Sequence, residues 1–134
     1  MAVNTRFATG VHILVTLAAA PDGLMTSDQI SHKLNTNPVV IRRVLSRLQQ
    51  AELIDSQKGP SGGSKLARPA KEIRLGEVYS ALEPSALFNA SAAQDARLNN
   101  TLQKIFTGAQ AALESELNGS NIGQLARKLS KSKK

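Results

Sequence analysis

Thr36–Ala67, TNPVVIRRVLSRLQQAELIDSQKGPSGGSKLA, is the stretch from which the rest of the chain is read. Asn37 is a helix-capping residue type, and Pro38 falls at the first helical position, where its missing N–H costs nothing. Ile41, Val44, Leu45 and Leu48 recur at i, i+3, i+4 and i+7, the spacing of one buried helical face. The opposite face carries Val39, Arg43, Ser46, Arg47 and Gln50, with Arg42 at its edge. Leu53 and Ile54 begin a short strand predicted to reach Lys58. Gly59-Pro60-Ser61-Gly62-Gly63 is turn punctuation, and Ser64 to Ala67 can pair back. The expected unit is a basic helix followed by a hairpin, the order of elements in a winged helix-turn-helix.

At 134 residues the chain is one domain or one and a half. Three Phe and one Tyr cannot fill a core, so Leu, Ile, Val and Ala must. The absence of cysteine removes disulfides and any thiolate-held metal or iron–sulfur cluster. No run approaches about 18 apolar residues, the length that spans a bilayer. The first apolar run starts after Arg6, contains His12 and has no signal-peptide pattern. A soluble, cytoplasmic protein with no membrane partner is expected. The net charge of +7 is uneven: residues 31–76 carry nine basic and three acidic groups, residues 75–119 two basic and five acidic, and the last ten residues five basic. A basic helix alone reads most simply as a solvated face. Its coincidence with a hairpin and a Gly-rich tip points instead to a polyanion.

Taken in order, Asn4 or Thr5 can cap a first helix running to about Ala20, with Phe7, Val11, Leu14 and Ala18 in one stripe widened by Val15 and Leu17. Pro21-Asp22-Gly23 ends it. Thr26 or Ser27 caps a short helix, Asp28 to Leu34, with Asp28 suited to the positive end of the helix dipole. Asn35-Thr36-Asn37 is the tight turn of a helix-turn-helix. After the hairpin, Pro69–Glu72 closes the unit and Ile73 returns to the core. Leu75 to Leu82 is a helix stopped by Glu83-Pro84, and residues 84–94 form a loop with one hydrophobic pair, Leu87 and Phe88. Asp95 to Leu117 is a long helix, roughly 35 Å at 1.5 Å per residue. Leu98, Leu102, Ile105, Ala109, Ala112 and Leu113 make a seam close to heptad spacing, broadened by Phe106 and Leu117, that is expected to form a homodimer interface; packing on its own domain is the rival. Ser120 caps a last helix through Leu129, and residues 131–134 end a basic tail. The expected division is a DNA-binding domain over 1–83, a loop over 84–94 and a dimerisation segment over 95–130, mainly α with a small β-hairpin wing.

The runs NPVVIRRVLSRLQQAELI, GPSGGSKLARP and IRLGEVYSALE closely resemble the Rrf-two family of bacterial winged helix-turn-helix transcription regulators, most specifically in the G-P-x-G-G wing followed by L-A. The resemblance covers residues 4–83 well, and the two C-terminal helices in order and length. It implies a homodimer that crosses its long helices on a palindromic operator, usually as a repressor. Many members hold an iron–sulfur cluster on three cysteines before the long helix. This chain has none there, so it resembles the cluster-free members, with no cofactor. Ser64 also departs from the family, where many members have Tyr after the paired glycines.

For DNA, the start of the recognition helix presents Asn37, Val39, Val40, Arg42 and Arg43 to the bases. Arginine can donate two hydrogen bonds to guanine O6 and N7, so Arg42 or Arg43 is the expected reader, and either valine can meet a thymine methyl. Arg47 is expected on phosphate, with Thr26 and Ser27 at a helix N-terminus, and Arg6 in the same role. The wing brings Lys58 and Lys65, with Gly59, Ser61, Gly62 and Gly63 allowing close backbone approach. GPSGGSKL is not a phosphate-binding P-loop, because Lys65 is followed by Leu66 and no helix opens there. His12 and His32 lack a metal-ligand pattern; His12 is expected to be a partly buried packing residue. No nucleophile–base arrangement stands out, so no enzyme activity is expected. A small-molecule or protein effector is compatible with the chain, with a pocket near Leu87 and Phe88 one place for it, although plain packing explains that pair as well. The alternative function is a winged-helix interaction module docking an acidic partner protein.

Overall fold

A computed structural model describes residues 5–20, 22–83 and 95–132, with side chains as far as Leu129. The loop 84–94 with Leu87 and Phe88, the Asn4 cap and the last two lysines lie outside the described residues. The elements are α1 (Arg6–Ala19), α2 (Ser27–Leu34), α3 (Pro38–Gln50), β1 (Ile54–Gln57), β2 (Gly63–Leu66), a 3-10 turn (Ala70–Glu72), α4 (Leu75–Leu82), α5 (Ala96–Asn118) and α6 (Ile122–Ser132). It is a mainly helical winged helix-turn-helix with one two-stranded antiparallel hairpin.

The core is aliphatic, as the shortage of aromatics requires. Ile41, Val44, Leu45 and Leu48 turn α3 onto it, meeting Ile13, Leu14 and Leu17 of α1, Ile30 of α2 and Val78 and Leu82 of α4. Each such side chain contributes roughly 1.5–3 kcal/mol through burial. Five consecutive residues of α1, Ile13 to Leu17, are buried, so this helix is packed on several sides. Gly10 faces α4, where a Cβ would run into the Leu82 side chain. Phe7 and Tyr79 close the α1–α4 contact edge to face, with ring centroids 5.5 Å apart. His12, expected to be partly buried, is exposed instead, because the buried arc of α1 skips its position. Thr5 occupies the N-cap of α1 but makes no side-chain capping bond.

The helix-turn-helix is fixed by hydrogen bonds at its two helix ends. The Thr36 amide donates to the Ser31 carbonyl at 3.0 Å and the Asn35 amide to the His32 carbonyl at 3.2 Å, with Asn35 left-handed at φ 52°. The buried Ser31 hydroxyl donates to the Thr36 carbonyl across the same turn. The end of α3 repeats this geometry: Leu53 donates to Leu48 and Glu52 to Gln49, both at 3.0 Å, with Glu52 at φ 62°. This is the Schellman arrangement, which favours Gly or Asn at the left-handed position. Asn35 suits it and Glu52 does not.

The hairpin registers Ile54 with Leu66, Asp55 with Lys65, Ser56 with Ser64 and Gln57 with Gly63. A third, one-residue strand was not foreseen. Met25 pairs with Ser64 through hydrogen bonds of 3.0 and 2.7 Å, tying the α1–α2 connection to the wing.

The C-terminal helix docks back onto the first unit. The Ile122 amide donates to the Ile73 carbonyl at 2.9 Å and the Leu75 amide to the Ser120 carbonyl at 3.0 Å. Ile122 is fully buried, and α6 packs on α1 and the 3-10 turn. The cap of α6 is Asn121, not Ser120: Asn121 and Gln124 exchange backbone-to-side-chain bonds of 2.9 and 3.2 Å. Ser120 instead gives its carbonyl to Leu75. Arg74 donates to the Asn118 carbonyl at 2.8 Å, satisfying the end of α5.

Two stability outcomes are expected. Glu52→Gly relieves a strained left-handed residue and should raise unfolding free energy by about 0.5–1 kcal/mol, after allowing for the entropy glycine adds to the unfolded chain. Urea denaturation reads this; a loss of stability would contradict it. Arg68 hydrogen-bonds Glu77 and holds its carboxyl below the ordinary range, helped by the Arg74 amide and opposed by burial. A depressed carboxyl stabilises the fold above the ordinary glutamate pKa of about 4.3 and ceases to do so as pH falls through the lowered value. Glu77→Gln should therefore flatten the acid limb of the stability–pH curve relative to its value at neutral pH.

Candidate nucleic-acid interface

The α3 surface left over from core packing is basic at its start. Asn37 caps the helix, its Oδ1 accepting from the Val39 amide at 2.8 Å, while its Nδ2 hydrogens can donate to a ligand. Val39 and Val40 are exposed, at 48% and 37%, which is unusual for large aliphatic side chains and places two apolar contacts on the open face. Arg42 and Arg43 are both exposed beside them. They differ in their surroundings. The Arg42 Nη2 lies 3.6 Å from the Asp28 Oδ1 at the start of α2, whereas Arg43 has no ion pair among the described residues.

Arg47 is only partly exposed, and its Nη1 donates to the Leu82 carbonyl at the end of α4, at 3.3 Å. A guanidinium expected on phosphate is thus engaged within the fold. Arg6 likewise pairs with Glu83 at 3.0 Å. At the start of α2, Thr26 and Gln29 form a capping box: the Gln29 amide donates to the Thr26 Oγ1 at 3.1 Å and the Thr26 amide to the Gln29 Oε1 at 2.8 Å. The Ser27 and Asp28 amides, in the first turn, have no intrahelical acceptor.

The wing is held to α3 by the Ser56 hydroxyl, which donates to the Gln49 Oε1 at 3.1 Å. Its tip is the five-residue loop Lys58–Gly62, with Lys58, Gly59 and Ser61 exposed. A Cβ on Gly62 would stand 2.1 Å from the Gln57 carbonyl oxygen, so the tight tip itself requires glycine. Gly63 has φ +148°, and a Cβ there would stand 2.7 Å from the Met25 carbonyl oxygen. Lys65 faces Asp55 across the ladder, where side chains of opposed residues share a side. Sequence reading missed this pairing, the Ser56–Gln49 tie and the Asp28–Arg42 pair, because register and the α2–α3 crossing angle bring them together.

The second candidate surface is α5, none of whose residues is buried. Leu98 and Ile105 are exposed at 48% and 59%, Ala109 is exposed, and Leu102, Phe106 and Leu113 are half-buried. On this amphipathic helix of 23 residues the large apolar side chains most open to solvent are Leu98 and Ile105.

The chain matches the Rrf2 (Rrf-two) family model, described as iron-dependent transcriptional regulators, over residues 3–128. YwnA of Bacillus subtilis strain 168, named as an HTH-type transcriptional regulator, is 35% identical over 122 residues, covering 86% of this chain and 90% of YwnA. A solved structure from Lactobacillus plantarum, also named as a transcriptional regulator, superposes with a TM-score of 0.78 at 26% identity, covering 94% of this chain and 90% of that one. CymR, the global cysteine regulator of Bacillus subtilis, gives 0.73 at 19% identity over 96% and 98% of the two chains, a likeness of fold. The iron in the family description finds no thiolate here, since the chain has no cysteine. Among the described residues no three His, Asp or Glu side chains stand together to hold a metal. The residues present do not fit a thiolate-held cluster.

Gly63→Ala is expected to lower stability by about 1–3 kcal/mol, because it combines a strained φ with a clash on the Met25 bridge. A urea midpoint unchanged from wild type would show that the bridge gives way freely.

Proposed function

The chain belongs to the Rrf2 family of transcriptional regulators, and we propose that it binds a palindromic operator in duplex DNA as a homodimer, repressing transcription in the bacterial cytoplasm without an iron–sulfur cluster. The observation that carries this reading is the exposed start of α3, two arginines and two valines, beside a Gly-rich wing. An arginine there can address guanine O6 and N7 while a valine covers a thymine methyl. Asn37 contributes its Nδ2 hydrogens to a base or phosphate. Lys58, Lys65 and the backbone of Gly59, Ser61, Gly62 and Gly63 suit phosphate or the minor groove. The free first-turn amides of α2, next to Thr26 and Ser27, suit a phosphate. Arg47 donates to the Leu82 carbonyl through Nη1 and keeps its other N–H groups for a phosphate, so its loss should cost fold stability as well as affinity.

The homodimer reading rests on the exposed Leu98 and Ile105 of α5, which with Leu102, Phe106, Ala109 and Leu113 would face the same helix of a second copy. Two-fold symmetry then sets two half-sites about one helical turn, or a multiple of it, apart. The absence of cysteine supports a regulator that answers some signal other than cluster assembly.

Selection from a random duplex library with the full chain tests the reading. An enriched inverted repeat is the expected result. Arg42→Ala or Arg43→Ala should relax preference at one base position, at a cost of roughly 1–3 kcal/mol, and Lys58→Ala should weaken all sequences alike and reduce the salt slope by about one. Binding too weak to detect at low salt would move the reading to an interaction module for an acidic protein.

A further inference from the structure

Two arginines stand side by side at the start of α3, and among the described residues only Arg42 has an ion-pair partner. The Arg42 Nη2 is 3.6 Å from the Asp28 Oδ1, with the two side chains 59% and 81% exposed. The α3 sequence, PVVIRRVLSRLQQ, contains no acidic residue, so this carboxylate comes from another helix. Asp28 sits in the first turn of α2, where the Thr26–Gln29 capping box fixes its backbone. We propose that Asp28 is a positioning residue that makes Arg42, rather than Arg43, the reader of base sequence.

This inference rests on the DNA-binding reading above. Guanine recognition needs two parallel N–H donors in one plane. Arg42 approaches Asp28 through Nη2 alone, so the second Nη2 hydrogen, with the neighbouring N–H of Nη1 or Nε, still offers the paired donors of a bidentate contact. The pair therefore restrains the guanidinium without using up its donors. An exposed ion pair of this kind adds little to fold stability. Its effect appears on binding: fixing a long side chain beforehand avoids an ordering penalty worth a factor of roughly 2 to 10 in affinity. Arg43, with no such restraint, keeps its rotamer freedom and is suited to phosphate, which any orientation of the guanidinium can meet.

The alternative for Asp28 is simple repulsion of nearby phosphates. Removing it would then tighten binding to every sequence equally. The two differ in what Asp28→Asn does to preference. Library selection and competition binding with the full chain, wild type and Asp28→Asn, should show preference at one position of each half-site falling by roughly threefold or more. In an Arg42→Ala background the same change should have no further effect on preference. Preference retained in Asp28→Asn, with all sequences bound more tightly, overturns the positioning role while leaving the DNA-binding reading intact. Sharper preference in Asp28→Asn overturns it too, by showing that Asp28 competes with DNA for Arg42. A wild-type chain that enriches no motif overturns both. Thermal denaturation of each variant, with the midpoint expected within a few degrees of wild type, separates preference from folding.

Discussion

Burial of one aliphatic stripe on α3 is the constraint on which the rest depends. Ile41, Val44, Leu45 and Leu48 can leave water only by meeting α1, α2 and α4 together, and that fixes the rotation of α3 about its axis. Everything on the other side is then determined. Val39, Val40, Arg42 and Arg43 face outward because the stripe faces inward, and the start of the helix projects because Asn37 and Pro38 end the turn there. Rotating α3 by one residue, about 100°, would bury an arginine without a partner, at a cost that no local contact could offset.

α1 is the element that the others share. It touches α3, α4, the wing and α6, and its buried arc extends over five consecutive residues. The wing is fastened at three places: to α3 through Ser56 and Gln49, to the α1–α2 connection through Met25 and Ser64, and to itself through the short ladder. A two-stranded hairpin alone is marginal in water, so these ties are what give the tip a defined position next to α3.

Charge counting along the chain overstated what is available to a polyanion. Of the basic groups in residues 31–76, Arg47 serves the Leu82 carbonyl, Arg74 the Asn118 carbonyl and Arg68 the Glu77 carboxylate, while Lys65 faces Asp55. Two of these arginines satisfy helix ends, where carbonyl groups lack intrahelical donors. The exposed basic groups of the helix and wing unit are Arg42, Arg43, Lys58 and Lys65, fewer than the count along the chain suggests.

The sequence alone was enough for the local elements: α4 from Leu75 to Leu82, α3 from its Asn37 cap, the hairpin with its glycine tip, and the choice of which α3 residues face out. These follow from periodicity, capping and turn chemistry, which act over a few residues and are written in local order. The run of motifs also pointed to the family that the whole-chain match identifies. Tertiary structure decided what depends on angles and register between distant segments. That includes the exposed His12, the Met25–Ser64 strand, the docking of α6 through Ile122 with Asn121 as its cap, and the partners of Arg6, Arg47 and Arg42. No spacing rule connects Asp28 to Arg42 or Arg47 to Leu82, because their proximity is set by how helices cross once the core has closed.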